Sequence, residues 1–312
     1  MKKTKKNLKL ITLLLLVIVS TSGCTKYLET KDKEPVRNEI TGQNVAENII
    51  CKPTDKEMLK IYKENGMDLK EIPECDEFNL TSGGYEGLWT TIFIKPLSLF
   101  LIKVGLLVNN YGLSIIIVSL IIRVLAFPLT RKTALQSELI KKAKPELDKL
   151  EKKYPNKNSQ EEQMKKTQEM MTIYKKYNIN PLAGCVFALI QLPLFIAFLE
   201  AIQRTPALFE DKLFGLQLGT TPAVGITTSV WYAYLLLILI IGGTTYISMK
   251  LNTTNASSDV NLKMMPTIMT IMIIITGVFM PTGLGLYWIT SNIFTILQNL
   301  LVKRSKEANA KK

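Results

Sequence analysis

The chain has 312 residues, enough for two soluble domains, but its apolar residues collect in blocks of about 20, the length that crosses a bilayer as a helix. The 39 Lys and Arg exceed the 26 Asp and Glu, and the net charge of +13 fits nucleic acid or an anionic membrane surface. Histidine is absent, which excludes His-ligated zinc sites and Ser-His or Cys-His nucleophile pairs. No phosphate-binding loop is present either. We therefore expect a membrane protein that is not an enzyme and holds no metal and no cofactor.

Residues 1–23 have the features of a lipoprotein signal peptide. A lysine-rich start is followed by the apolar run 10–19 and by Thr21-Ser22-Gly23-Cys24, and small residues after a short apolar run are typical of a secretory signal. The Ser-Gly-Cys ending resembles the bacterial lipobox, although Thr21 stands where Leu is usual. This pattern predicts a lipid-modified Cys24. The alternative is an uncleaved anchor, and both place Cys24 outside.

Residues 24–86 form a polar extracytoplasmic segment with two cysteines, Cys51 and Cys75. Two cysteines in a short exported segment suggest a disulfide. The alternative is a pair of free thiols in a flexible spacer, and both interpretations stay open.

Residues 87–108 are predicted to form an amphipathic helix that lies in the membrane interface. Polar residues recur near helical spacing at Thr91, Lys95, Ser98 and Lys103, and apolar residues fill the remaining positions. We expect Trp89 to anchor this helix at the interface, and Pro96 to kink it or to begin its second part.

Five apolar blocks between residues 109 and 304 are predicted to be transmembrane helices. They are Tyr111–Leu129, Leu182–Ile202, Val230–Met249, Met264–Met280 and Gly283–Val302. The lysine-rich segment 131–180 is cytoplasmic by the positive-inside rule, which places the N-terminus outside and the basic tail 305–312 inside. Within 131–180, two charged helices separated by Tyr154-Pro155-Asn156 predict a helical hairpin. The predicted fold is thus an all-α polytopic membrane protein with an N-terminal interfacial amphipathic helix, five transmembrane helices and a cytoplasmic helical hairpin.

Three methionines of the hairpin, Met164, Met170 and Met171, suggest an adaptable apolar stripe for varied partners. The alternative is an ordinary packing seam between the two helices, which composition alone favours.

Arg123 lies inside the first predicted span, eight residues before Arg131 at the cytoplasmic edge. At ~1.5 Å per residue it is ~12 Å deep, where an arginine costs roughly 2.5–3.5 kcal/mol on insertion scales. We expect the spans to offer no Asp or Glu as a partner, which leaves a hydrated polar cavity. Candidates to line it are Ser119, Gln191, Thr244, Thr245, Ser248, Thr290, Ser291 and Asn292, each of which is alternatively a helix–helix hydrogen bond. Such a cationic pocket would attract acidic groups that must cross the membrane.

Several separated motifs resemble the YidC/Oxa family of membrane protein insertases, specifically the five-span lipoprotein type of Gram-positive bacteria. The resemblance covers about residues 86–304. It rests on Arg123 followed by Phe127-Pro128-Leu129-Thr130, on Tyr174-Lys175-Lys176, on the stretch from Ile179 to Phe195, and on Pro281, Gly283, Leu286-Tyr287-Trp288, Ser291-Asn292-Ile293-Phe294 and Gln298. Ser248 stands where many members have glutamine, and the Cys51/Cys75 segment is longer than expected for the family.

The resemblance implies an insertase whose spans enclose a hydrophilic groove that is open to the cytoplasm and to lipid. Arg123 would hold an acidic segment of a nascent membrane protein, and Tyr287 and Trp288 would contact its apolar span. The implied partners are nascent membrane proteins, membrane lipids, the Sec translocon and the ribosome. The alternatives are a transporter for an anionic solute, a membrane enzyme and a lipid-anchored structural subunit. The sequence shows no internal repeat to favour the transporter.

Overall fold

The computed structural model describes the backbone of residues 25–154, 159–180, 183–252 and 260–310. Cys24 and the signal peptide lie outside these residues. Within them, the chain forms two compact units, which are described separately. The first consists of residues 25–118, 192–234 and 280–286, and the second of residues 119–191, 235–279 and 287–310.

The long helices lie where the sequence predicts membrane spans and the hairpin. They are α3 (Tyr111–Lys153), α4 (Gln160–Lys176), α5 (Ala183–Arg204), α8 (Trp231–Asn252), α9 (Val260–Val278) and α10 (Thr282–Ala310). The shorter helices are α1 (Lys56–Glu64), α2 (Lys95–Val108), α6 (Pro206–Phe209) and α7 (Pro222–Gly225). The chain is therefore a helical polytopic membrane protein. One element was not predicted, a two-stranded antiparallel sheet of β1 (Lys212–Leu213) and β2 (Leu216–Gln217).

Local sequence sets the ends of these helices. The Asn110 side chain accepts a hydrogen bond from the Leu113 N–H at 2.8 Å and thereby caps the start of α3. Helix α3 has 43 residues, or about 65 Å at ~1.5 Å per residue, so a span and the first hairpin arm form one helix. Ser159 caps α4, which has Glu161 and Glu162 in its first turn and lysines in its last, as the helix dipole favours.

Three segments in the described part of the chain are long and apolar enough to cross a membrane: Thr90–Val108, Tyr111–Pro128 and Trp231–Leu251. The first of them is the predicted interfacial helix. It begins with a π-helical turn, Thr90–Ile94, directly before α2. Pro96 lies in the first turn of α2, so it begins the second part of this segment, as one of the two predicted alternatives requires.

Three predictions about the spans and the interfacial helix are wrong. The spans do contain an acidic residue, since Glu200 lies within the predicted span 182–202. Its carboxylate accepts a hydrogen bond from Trp89 Nε1 at 3.1 Å, and both side chains are buried. Trp89 is therefore not an exposed interfacial anchor, because its indole N–H serves as the partner of a buried carboxylate. Lys95 and Ser98 of the predicted polar stripe are buried as well, whereas Phe93 and Phe100 are each 40% exposed.

Residues 25–86 are folded in the first unit and do not form a loose spacer. Cys51 and Cys75 are joined by a disulfide, and their cluster packs on Ile102 of α2. A second cluster packs Val45, Tyr62 and their neighbours against Phe209 of α6. The N-terminal segment thus shares one apolar core with the connection between α5 and α8.

Candidate functional site

The candidate site is built around Arg123 in the second unit. Its side chain is only 5% exposed, and its Nη2 donates a hydrogen bond to Gln191 Oε1 at 2.5 Å. The amide nitrogen of Gln191 donates in turn to the Tyr287 hydroxyl at 3.0 Å. Gln191 therefore bridges a cation on α3 to a phenol on α10, with its acceptor on the guanidinium and its donor on the hydroxyl.

Arg123 donates to a neutral side chain, Gln191, and the next group in this network, the Tyr287 hydroxyl, is neutral as well. Among the residues the structure describes, no carboxylate forms an ion pair with this guanidinium, whereas the buried Arg204 and Lys95 of the first unit both pair with Glu86. A guanidinium has five N–H donors, and a neutral amide oxygen satisfies one of them without cancelling the charge. The arrangement leaves a positive charge at a buried position, which favours contact with an acidic group.

A second group of predicted site residues connects α8 to α10. The Thr245 hydroxyl accepts hydrogen bonds from Trp288 Nε1 and from Asn292 Nδ2, both at 2.9 Å. These three side chains thus form helix–helix hydrogen bonds, which is the alternative interpretation offered for such residues. Ser119, Ser248 and Ser291 are buried in the same unit.

Tyr287 and Trp288 are adjacent in sequence but belong to different groups. Tyr287 is 2% exposed and contacts Gln191, whereas Trp288 is partly exposed and contacts Thr245. Tyr287 is consequently placed to orient Gln191, and of the two aromatic residues only Trp288 retains surface for contact with an apolar segment.

One polar pair of the unit was not assigned to the site from sequence. Gln298 Nε2 donates to Thr130 Oγ1 at 3.0 Å, and both residues are 5% exposed. Nearby, the rings of Phe127 and Phe294 meet edge to face at 6.4 Å. The signal that could have found this pair is the resemblance itself, because all four residues belong to its quoted motifs.

The helical hairpin closes through its apolar seam and through ion pairs at its edges. Ala143 and Leu147 of α3 pack with Ile179, Met170 and their neighbours. Lys153 pairs with Glu169 and Lys176 with Glu146, each at 2.6 Å. Hydrogen bonds from Lys176 and Tyr177 lower the pKa of Glu146.

The predicted methionine stripe is divided between two environments. Met170 lies in the seam, whereas Met164 and Met171 are 58% and 40% exposed. The exposed pair lies on the side of α4 that carries Gln160, Gln163, Thr167 and Gln168, which are also exposed.

Comparisons with known proteins identify the family of the chain. The sequence pattern of the family described as 60Kd inner membrane protein matches residues 103–310. The membrane protein insertase YidC of Oceanobacillus iheyensis is 37% identical over 240 residues, which cover 74% of this chain and 90% of that protein. The chain belongs to the YidC/Oxa family of insertases.

Two further similar proteins are a second bacterial insertase and a solved structure. The membrane protein insertase MisCA of Bacillus subtilis is 38% identical over 217 residues, which are 69% of this chain and 79% of that protein. A crystal structure of an active YidC insertase with its first transmembrane domain resolved is 21% identical and has a TM-score of 0.47. The match covers 70% of this chain. This chain spans about half (48%) of the length of that YidC chain. The family assignment rests on the sequence relatives, and their names do not support the alternative of a solute transporter.

Proposed function

We propose that this chain inserts nascent membrane proteins into the bacterial cytoplasmic membrane, with Arg123 as the group that receives their acidic segments. The observation that carries this proposal is a buried arginine that donates a hydrogen bond to the neutral amide of Gln191. A buried cation without a counter-ion raises the free energy of the empty protein, and an arriving carboxylate offsets that cost. The binding is transient because the carboxylate regains its full hydration on leaving.

The free energy of insertion comes from the substrate. Each apolar side chain that moves from water into lipid contributes roughly 1.5–3 kcal/mol, so a span of about 20 residues supplies far more than Arg123 contributes. Arg123 acts on the step that burial cannot drive, which is the passage of the polar flanking segment. The proposal therefore needs no nucleotide, metal or catalytic residue.

The positive-inside rule supports an arrangement in which the N-terminus is outside and the tail 305–312 is cytoplasmic. The lipobox-like Ser22-Gly23-Cys24 supports a lipid anchor at Cys24. In this arrangement the hairpin of α3 and α4 faces the ribosome and meets the nascent chain first, with the Sec translocon as an optional partner. Ser119, Gln191, Ser248, Tyr287, Trp288, Ser291 and Asn292 complete the proposed hydrophilic groove.

The test is complementation of cells depleted of their own insertase. The intact protein, Arg123→Lys and Arg123→Ala are expressed at equal membrane levels, and translocation of a single-span reporter with an acidic external tail is measured. We expect rescue by the intact protein and by Arg123→Lys, and a loss of translocation in Arg123→Ala. Lys103→Ala, which removes an exposed cation of α2, is the matched control and should rescue fully.

A reporter whose external tail is neutral separates charge recognition from general insertion. Arg123→Ala should insert the neutral reporter nearly as well as the intact protein does. Equal rescue of both reporters by all variants would show that Arg123 is not the receiving group. An intact protein that is present in the membrane and rescues neither reporter would overturn the insertase function itself.

A further inference from the structure

The connection between α5 and α8 contains a tight β-hairpin with an unusual residue at its tip. Strands β1 and β2 pair with Leu213 opposite Leu216, so Phe214 and Gly215 alone form the turn. Both have positive φ, 52° for Phe214 and 81° for Gly215. Such turns favour Asn or Gly at the first position, because a bulky side chain is disfavoured in the left-handed region. A phenylalanine held there against its preference points to a role for the side chain.

The Phe214 side chain is directed away from the protein. It is 85% exposed, the highest value of any large apolar side chain in the part of the chain that the structure describes. Its neighbours Leu213 and Leu216 are 6% and 7% exposed. The two leucines therefore hold the hairpin on the protein while the tip projects from it.

The hairpin is fixed to the first residues of α3. The Asp211 carboxylate accepts a hydrogen bond from the Tyr111 N–H at 2.6 Å, and the Asn110 side chain donates to the Lys212 carbonyl at 3.0 Å. Leu213 packs so tightly on Gly112 that a Cβ added there would lie 2.6 Å from the Leu213 Cβ. The span Tyr111–Pro128 begins at this point, so the tip lies beside the end of a membrane-crossing segment.

The surroundings of the tip match the chemistry of a bilayer surface. Lys212, two residues before Phe214, is exposed. The last turn of α2, directly before Asn109 and Asn110, exposes Leu106 (46%) and Leu107 (84%). An aromatic ring beside a lysine suits the interface, where the ring meets acyl chains and the ammonium meets phosphate. A single projecting side chain is too small for a stable protein interface, which buries about 800 Å² per partner.

We propose that the β1–β2 hairpin is a lipid anchor whose Phe214 inserts into the leaflet at the Tyr111 end of α3 and fixes the depth of that span. The partner is the lipid surface itself, with the ring among the acyl chains and Lys212 at the headgroups. The proposal requires that α3 cross the bilayer and does not depend on insertase activity.

The first experiment replaces Phe214 by tryptophan in the full-length protein. Phe214→Trp and its parent are placed in vesicles of phosphatidylglycerol and phosphatidylethanolamine, with and without bromine on the acyl chains. The emission added by the new tryptophan should be blue-shifted and largely quenched by the brominated lipid. Met164→Trp, on the exposed side of the cytoplasmic hairpin, is the control and should not be quenched. Added emission from position 214 that is red-shifted and unquenched would overturn the proposal.

A second measurement covers the case in which tryptophan disturbs the turn. A photoreactive benzoylphenylalanine at position 214 retains the shape of phenylalanine and marks whatever the tip touches in native membranes. Cross-links to phospholipid, found by mass spectrometry, would support the anchor. Cross-links to a protein, or none to lipid when the same probe at an apolar position of α8 labels lipid, would refute it.

Discussion

The first compact unit buries Arg204 and the second buries Arg123, and the two arginines have different kinds of partner. Arg204 is fully buried and donates to the Glu86 carboxylate, to the Asn48 carbonyl at 2.7 Å and to the Thr90 hydroxyl at 3.2 Å. Lys95 lies 3.4 Å from the same carboxylate. Arg123 is nearly as buried, but it donates a hydrogen bond to the neutral amide of Gln191.

The difference separates an arginine whose charge is paired with a carboxylate from one whose hydrogen-bond partner is neutral. In the first unit Glu86 joins the segment before α2 to the end of α5, so the charges there are internally compensated. In the second unit, the described residues give Arg123 a neutral hydrogen-bond partner and supply no carboxylate to it. Four variants or conditions test this comparison.

The largest effect is expected for Arg204→Met. Removing one partner of a buried ion pair leaves Glu86 without its arginine and costs about 3–5 kcal/mol of unfolding free energy. Denaturation in mixed micelles, followed by circular dichroism, measures it. A loss below that of the exposed-site control Lys103→Met would show that Arg204 does not stabilise the first unit.

The disulfide between Cys51 and Cys75 comes next. It closes a loop with a sequence separation of 24, for which chain entropy gives about 3.5 kcal/mol of stabilisation. Replacing both cysteines by serine should lower the unfolding free energy by that order. Reductant should destabilise the wild type and leave the double variant unchanged; equal sensitivity of both would contradict the prediction.

Arg123→Met should behave in the opposite way to Arg204→Met. Since it removes a buried charge that no carboxylate of the described residues pairs with, the unfolding free energy should stay constant or rise by up to about 2.5 kcal/mol, while translocation of the acidic reporter is lost. The same denaturation assay and reporter measure the two quantities. A clear loss of stability would mean that Arg123 is compensated like Arg204, and the contrast between the units would disappear.

The smallest effect is a pH dependence of the helical hairpin of α3 and α4, which serves as a solvent-exposed reference. Hydrogen bonds from Lys176 and Tyr177 lower the pKa of Glu146, and those from Lys153 and Tyr154 lower the pKa of Glu169. For a carboxylate with a lowered pKa, the stabilisation is complete above the ordinary value of 4.5 and is lost as the pH falls through the folded-state value.

Amide hydrogen exchange of α4 should therefore be constant near neutral pH and accelerate, after correction for its intrinsic pH dependence, as the pH falls below about 4.5. Glu146→Gln should flatten part of this acid response. An unchanged response in that variant would show that the Lys176–Glu146 pair does not hold the hairpin.

Local pattern was sufficient to predict the long helices and the break between α3 and α4. It was also sufficient to identify Arg123, because an arginine in an apolar block is visible without any contact. The sequence did not reveal the pairing of Trp89 with Glu200, because these residues are 111 positions apart. Lys95 was misjudged for the same reason, since helical spacing shows which residues share a face but not what covers that face.

The candidate site was predicted in part. Gln191 and Thr245 were among the candidates, but only the structure shows that Gln191 contacts Arg123 and that Thr245 contacts Trp288 and Asn292. The exposed Phe214 was not predicted at all, because the sequence does not show which side chains of the connection between α5 and α8 project from the protein.

The sequence by itself determined which segments are apolar enough for the membrane, where the charged hairpin lies and which arginine is out of place. These properties depend on composition and spacing within about 20 residues, the length of one span. Only the tertiary structure decided that residues 25–86 share a core with Phe209, that Arg204 is neutralised by Glu86 and that Arg123 is not neutralised by a carboxylate among the described residues. Those outcomes depend on which distant segments meet, and a buried charge is stabilised only by the groups that packing brings to it.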